Sequence, residues 1–521
     1  MSPLSAAQTA PTYDEVPYES FSYAQTHPSH TRAIATLFGL NPSAVETARV
    51  LELGCASGGN LLPQALLYPK ATFVGIDLSH EQIVQADANK KALKLSNVEF
   101  LQEDIFTYAP KEKFDYIICH GILSWVPEPV RQRVFKLCSE VLSPNGIVII
   151  SYNALPGWNA VRSLREMMLY HTSRFTKPEE KITQAKSLLG FLAENLTEGS
   201  GYRALVEEEK RLLDSVSSSY MYHDHLETDN TQFYLYDFVR QANASNLAYV
   251  GDANLSLMFL GNMPAKAAEK LQVIDDIVSQ EQYMDFIANR RFRSSILCKN
   301  GQPISRALEN DQILNYCLSF TGGQVQIEGG DPSKDIVFKT RAGNFTTHKE
   351  TAGTLFMMLA SYDGRPFPAH ALIKEVAKKL GLSDPQPVRD VLVEQGINLL
   401  LRGFLQIHDN APHYTSEISD KPVAFALARH ECTFPSRGAV TNVLGMTLPA
   451  DLLARTVLSA LDGTRNMKEI AKIVVENVDK GVLNLEQDGK PITDAAQKQA
   501  AAEALVAELL KRFAKKALLV A

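Results

Sequence analysis

Cysteine is scarce in this chain. There are six in 521 residues, Cys55, Cys119, Cys138, Cys298, Cys317 and Cys432, and no two of them stand as C-x-x-C. So sparse a set excludes a disulfide-built scaffold, and the expectation is reduced thiols in a cytoplasmic protein. An excess of positive charge is also missing. Lys and Arg number 52 against 59 Asp and Glu, a net charge of −7, and residues 1–150 carry 11 against 15. With no basic stripe, a nucleic-acid partner is not expected. No apolar run approaches the ~18 residues of a membrane span. The opening MSPLSAAQTAPTYDEV has no basic segment followed by an apolar one, so no signal peptide is expected.

What the chain does have is apolar content, 45% of residues, enough to bury real cores. At about 150 residues per domain its length implies three or four domains. Residues 1–20 are polar and read as a flexible N-terminus. From Ala48 strands and helices alternate. Ala48–Leu53, Thr72–Asp77, Val98–Leu101, Phe114–Cys119 and Gly146–Ser151 read as strands. Helices are expected over Gly59–Leu67, from Ser79 to about Leu95 with Gln82 completing a capping box, and over Pro129–Leu142, stopped by a Ser-Pro-Asn-Gly turn. Apolar strands alternating with helices imply a parallel sheet covered on both faces, an α/β core over 21–160.

From Val161 to about Tyr220 the pattern is helical. Strand-like runs return at Ala248–Leu255 and Arg293–Lys299, preceded by helical stretches at Phe233–Ala242 and Ala265–Asn289. The expectation is a helical insertion, 161–300, that completes the sheet late; the alternative is a separate helical domain. A faint repeat follows: Ala360-Ser-Tyr-Asp-Gly-Arg365 and Ala460-Leu-Asp-Gly-Thr-Arg465 each sit between two apolar helices. Helix, Asp-Gly turn and helix suggest two α+β winged-helix-like modules, 301–411 and 412–521.

The strongest local signal is Val50-Leu-Glu-Leu-Gly-Cys-Ala-Ser-Gly-Gly59, which leaves a strand and opens a helix. Ligands of open α/β sheets sit at that place. Asp77 ends the second strand, 23 residues beyond Gly54, where a carboxylate accepts hydrogen bonds from ribose hydroxyls. Glu103-Asp104 closes the third strand, within reach of an adenine amino group. The loop is Gly54-x-x-x-Gly58 rather than G-x-G-x-x-G, and Glu52 stands inside the strand before it. A carboxylate there fits a cationic ligand and repels a diphosphate.

This E-x-G-x-x-x-G pattern resembles motif I of class I S-adenosylmethionine-dependent methyltransferases, which have a Rossmann-like sheet. Tyr23-Ala-Gln-Thr-His-Pro28, Leu37-Phe-Gly-Leu40, His120-Gly-Ile-Leu-Ser-Trp-Val-Pro127, Ser151-Tyr-Asn-Ala-Leu-Pro-Gly-Trp158, Tyr234-x-Tyr-Asp-Phe238 and Phe292-Arg-x-x-x-Leu-Cys298 resemble a bacterial group of these enzymes that carries a regulatory domain after the core. That group includes rickettsial lysine methyltransferases acting on outer-membrane proteins. The resemblance implies S-adenosyl-L-methionine as cofactor, held by Glu52, Gly54, Cys55, Ala56, Gly58, Asp77, Leu78, Asp104, Ile105 and His120. It does not fix the substrate; the favoured acceptor is a protein side chain, a lysine amine, because a small-molecule enzyme of this fold needs roughly 250 residues and the extra modules of this chain can present a recognition surface.

His120 follows the fourth strand and is positioned to relay the amine's proton or to orient the amine; a structural loop histidine is the other reading. Trp125 and Tyr152, placed with His120 in a catalytic set, and Trp158 follow strand ends, where aromatics form a channel around an alkyl-ammonium or else pack the core. Tyr23, Gln25 and His27 lie in an N-terminal segment of the kind that closes over the cofactor, on the substrate side; for His27 a cap or turn role is the alternative. His223-Asp-His225 has metal-like spacing but no third ligand nearby, so no metal is expected. Two other functions stay open at this point. One is a small-molecule or lipid methyltransferase whose extra modules serve a homodimer; the other is a non-catalytic, cofactor-sensing DNA-binding regulator.

Overall fold

A computed structural model describes residues 19–321, 326–328, 335–435, 437–487 and 490–521. The expected flexible N-terminus lies almost wholly outside these residues. Eight strands form the central sheet: β1 (Arg49–Leu53), β2 (Thr72–Asp77), β3 (Val98–Gln102), β4 (Phe114–Cys119), β5 (Leu142–Ala154), β6 (Gln232–Phe233), β7 (Leu247–Asp252) and β8 (Phe292–Lys299). Their order is β3-β2-β1-β4-β5-β8-β7, with β6 paired to the C-terminal end of β5. β1 to β5 run parallel, while β8 is antiparallel to both β5 and β7. The parallel expectation for the five core strands thus holds, and the direction of β8, on which the sequence carried no expectation, is antiparallel; an apolar run reports burial on both faces and not strand direction. β7 and β8 do join this sheet, after a helical insertion.

Alternation along β1 splits the core. Leu51 and Leu53 pack on one face, Val50 on the other, and Glu52 shares the face of Val50. The helix expected from Gly59 starts at Leu61, because Gly58–Asn60 form a turn in which Gly58 N–H donates to Cys55 O. The helix His80–Ala92 is capped by Ser79, whose side chain accepts from Gln82 N–H. The helix Glu128–Val141 ends without a separate turn. Leu142 already pairs with Phe114, and the register then jumps from Phe114↔Leu142 to Tyr116↔Ile147, so Ser143–Gly146 bulges within β5. The insertion consists of the helices Trp158–Thr172, Pro178–Asn195, Gly201–Ser215 and Ser218–His225, with a small core of their own around Leu164, Met168 and Leu213. The stretch expected as one helix over Ala265–Asn289 is two, Ala265–Leu271 and Ile277–Ala288, the second capped by Asp276.

Beyond the sheet, three strands ordered Phe367–Pro368, Cys317–Phe320, Leu405–His408 pack with the helices Glu350–Ser361, Ala369–Lys379 and Gln386–Leu401. The last hundred residues hold the helices Leu452–Ala460, Met467–Asp479 and Ala495–Lys515 with two short hairpins. Both Asp-Gly pairs lie between helices. Gly364 and Gly463 have φ of +81° and +83°, the left-handed turn for which glycine is suited. The N-terminal helix Pro28–Leu37 bolts the two halves together. The ring of buried His30 spans Ala253 O (2.8 Å) after β7 and Ile407 O (3.3 Å) in the C-terminal half.

β8 is anchored by one buried arginine. Arg293 meets both oxygens of Asp285 (2.7 and 2.9 Å), Glu281 (3.0 Å) and Asp252 (3.5 Å), and Tyr249 OH donates to Glu281 (2.8 Å). The three acids come from β7 and the helix Ile277–Ala288, so the cluster fixes that helix to the sheet edge. Removing one partner of a buried ionic cluster strands charge in low dielectric. Arg293→Met is expected to destabilise the protein by about 3–5 kcal/mol; a chemical-denaturation midpoint equal to wild type would contradict this.

Candidate active site

The C-terminal ends of β1 to β5 open into one cavity of about 500 Å³. Its floor is the loop after β1. Gly54 has φ +71°, and a Cβ there would lie 2.1 Å from Ile122, so only glycine fits both the turn and the close approach. Ala56 also adopts a left-handed conformation, φ +45°, held by its N–H donating to Asp77 Oδ2 (2.8 Å). A methyl at this position is thus accommodated by backbone strain rather than by a shift of the loop. Asp77 Oδ1 accepts from Ser79 N–H (3.0 Å), which fixes the carboxylate at the rim of the cavity.

Glu52 is the electrostatic singularity of the floor. Its Oε1 accepts from Asn60 Nδ2 (2.8 Å), and its Oε2 is buried with no hydrogen-bond partner. Burial pushes its pKa up to about 8, against the Asn60 hydrogen bond, which favours the charged form. Asn60 is a hub that the sequence motifs did not single out. Its Oδ1 accepts from Tyr23 N–H (3.0 Å), and its Nδ2 also donates to Thr26 Oγ1 (3.0 Å), tying the N-terminal segment to Glu52. At Gly59 the backbone comes so near this segment that a Cβ would meet Ser20 O at 2.6 Å. Ser20, Phe21 and Tyr23 thereby close one side of the cavity.

Cys55, Leu78, Asp104, Ile105, His120, Trp125 and Trp158 also line it. The His120 ring lies against Tyr23, with centroids 4.1 Å apart, and its Nδ1 is buried without a partner. Burial holds its pKa at about 4, so the imidazole is neutral. Trp125 and Trp158 meet edge to face at 6.3 Å, and His225 stacks on Trp158. Burial raises the Cys55 and Cys119 thiols well above their usual range, so neither supplies a thiolate.

Four expected site residues lie elsewhere. Tyr152 is a core residue: it stacks on Phe238 at 4.2 Å and its hydroxyl meets Ser295, because its position in β5 faces the sheet's interior. His27 caps the helix Pro28–Leu37, its Nδ1 accepting from Ser29 N–H (3.1 Å), and it packs beside Tyr68. Gln25 lines a second cavity, of about 410 Å³, shared with the C-terminal half. Gly58 (φ +80°) shapes the turn but does not line the cavity; a Cβ there would strike Phe100. Conversely, the cavity is also lined by Glu209, Tyr220 and Arg291, which no motif marked, and by His223, Asp224 and Phe292, which the sequence marked only for metal-like spacing or for the family resemblance and not as site residues. His223 and His225 are on a helix, and they face Glu227 (3.0 Å) and Glu209 (3.6 Å). Among the described residues no group of three His, Cys, Asp or Glu side chains is arranged to hold a metal ion.

Three family models match this chain. "Methyltransferase domain" covers residues 45–209, "Predicted methyltransferase regulatory domain" 217–299, and "PKMT, C-terminal winged helix domain" 420–518. PKMT2 from Rickettsia typhi in complex with AdoHcy superimposes with a TM-score of 0.88 at 34% identity, over 97% of this chain and 100% of that one. The structure of PKMT2 from Rickettsia typhi gives 0.86 at 33% identity, with the same coverage. An uncharacterised protein of Rickettsia prowazekii (strain Madrid E) is 38% identical over 517 residues, 98% of this chain and 93% of that protein. A cavity at the strand ends with a bare acidic floor, and likeness along nearly the whole length, place the chain among the S-adenosylmethionine-dependent methyltransferases of the PKMT family, with a regulatory segment and a C-terminal winged helix.

Proposed function

We propose that this chain methylates lysine side chains of a protein, with S-adenosylmethionine as donor. The observation that carries the reading is the bare Oε2 of Glu52, a buried carboxylate oxygen on the cavity floor that a cationic donor satisfies best. The cofactor's amino-acid end is such a cation. Asp77 stands where ribose hydroxyls are bound, and Leu78, Asp104 and Ile105 border the adenine side. Gly54, Cys55 and Ala56 let the backbone approach. When bound, S-adenosylmethionine supplies a methyl group activated by its sulfonium for in-line displacement by an amine.

The remaining residues handle the acceptor. Trp125 and Trp158 give an aromatic lining suited to an alkyl-ammonium. His120, with a pKa of about 4, is too weak a base to strip a lysine ammonium, whose pKa is about 10.4. A gap of roughly six units amounts to about 8 kcal/mol at 1.36 kcal/mol per unit. Its free ring nitrogen instead accepts a hydrogen bond from the amine once water has taken the proton, which points the lone pair at the reacting carbon. Tyr23 and the N-terminal segment exclude water from that space. Six cysteines without a disulfide support a cytoplasmic location, where the donor is made.

Asp77→Ala is expected to weaken AdoHcy binding about 100-fold in a calorimetric titration, the loss of two hydrogen bonds to a charged group. Affinity within threefold of wild type would remove Asp77 from the site. The raised pKa of Glu52 gives a second expectation. Below pH 8 the ligand-free fold keeps the Glu52 proton, whereas pairing with an ammonium requires the carboxylate. Binding therefore releases a proton, and AdoHcy affinity rises roughly tenfold per unit between pH 6 and pH 7. Glu52→Gln flattens this slope and lowers affinity; a slope surviving in that variant would assign it to another group.

A further inference from the structure

The roof of the cavity does not belong to the sheet. It is built by the helices Gly201–Ser215 and Ser218–His225, and it brings Tyr220, Asp224 and His225 to the same cavity that Glu52 and Asp77 line. Two carboxylates reach the cavity from this roof, and they differ. Glu209 already faces Arg291 (3.4 Å) and His225 (3.6 Å). Asp224 makes no ion pair with Lys or Arg among the described residues; Tyr220 OH donates to it, and the adjacent His223 acts on it electrostatically. A half-buried carboxylate that no Lys or Arg side chain pairs gains from a cation.

The neighbours suit an alkyl-ammonium. His225, next in sequence, stacks on Trp158, and Trp158 meets Trp125. His225 is held neutral by burial, and its Nδ1 is buried without a partner, so this wall carries polar capacity that the protein itself does not use. Aromatic faces along the stem and a carboxylate at the tip are the two elements by which a lysine side chain is recognised.

We propose that Asp224, oriented by the Tyr220 hydroxyl, receives the acceptor's ammonium on entry, so that the regulatory segment supplies a specificity residue to the catalytic cavity. The assignment rests on the lysine-methyltransferase reading and deepens it. Asp224 is a docking group. It recognises the protonated amine, which a hydroxyl or thiol acceptor does not offer, and the amine sheds its proton to water before it reacts. Burial raises the Asp224 pKa to about 6, so the carboxylate is ionised above that and ready for a cation at neutral pH. The insertion thereby acquires a chemical role.

The test uses the full-length protein saturated with AdoHcy and titrated calorimetrically at pH 7.5 with n-pentylammonium or with 1-pentanol. Wild type should prefer the ammonium by at least tenfold. Asp224→Asn, which keeps the acceptor for Tyr220 OH, should erase that preference while AdoHcy affinity and the unfolding midpoint stay at wild-type values. Asp224→Glu should retain the preference, and Tyr220→Phe should lose part of it. A wild type without the preference, or an Asp224→Asn protein that keeps it, overturns the assignment. Failure of wild type to bind AdoHcy overturns the cofactor reading and this one with it.

Discussion

A carboxylate folded beneath a cavity floor with one oxygen bare sets the terms for the rest of this protein. Alternation along β1 forces Glu52 to the same face as Val50, and there it meets Asn60, the residue that opens the helix Leu61–Leu67. An apolar residue would pack there without penalty. Glu52 instead carries a desolvation cost that Asn60 only half offsets, since one amide reaches one oxygen. The neighbouring parts lower the cost of ligand entry. Asn60 ties Glu52 to the N-terminal segment, and Asp77 holds the backbone of Ala56 in a left-handed turn. The floor is therefore shaped before a ligand arrives, which spares binding the entropy of ordering a loop.

The N-terminal segment and the C-terminal half make one mechanical unit around that floor. Ser20 oxygen accepts from Arg437 (3.4 Å), whose guanidinium also lies over Phe21. The same segment continues through His27, which caps the next helix, to His30, which bridges β7 and the strand Leu405–His408. A cover over the cavity is thus gripped from its far side by the winged-helix region. Any motion that loosens the contact of Arg437 with Phe21 reaches Tyr23, and through it the face of His120. Three histidines in this region, His27, His30 and His408, are all held neutral by burial, and the charge at the junction is supplied instead by the ion pair of Arg32 with Asp409.

Much of the floor was legible in the sequence because it is local. Gly54 and Asp104 follow, and Asp77 ends, a strand that apolar periodicity marks, and a ligand site at strand ends is a property of such sheets. The five core strands were legible for the same reason, and the late return of β7 and β8 to the sheet was visible as apolar runs. Strand direction was not, since β8 buries both faces as a parallel strand does. Tyr152 misled because a tyrosine after a strand end and a tyrosine within a strand look alike in sequence. β5 runs to Ala154, three residues beyond the expected end, which keeps Tyr152 in the core. The roof's one local signature, His223-Asp-His225, suggested metal spacing and not a cavity wall. Asp224 and Tyr220 lie four residues apart on an eight-residue helix, far along the chain from Glu52, and only the packing of the insertion brings them over the cavity.

That insertion also explains why the chain leaves the sheet after β5 and not elsewhere. β5 ends at the cavity, and Leu155–Gly157 turn straight into the helix that carries Trp158 and Val161. The chain returns through β6, which pairs with the last residues of β5, and later through Arg291 and Phe292 at the start of β8. Exit and re-entry thus flank the same strand end. Helices hung between them are held at both feet by sheet hydrogen bonds and, through Arg293, by a buried ionic cluster. The floor's own supports come from elsewhere in the chain, the N-terminal segment, where Asn60 accepts from Tyr23 N–H and Gly59 N–H donates to Ser20.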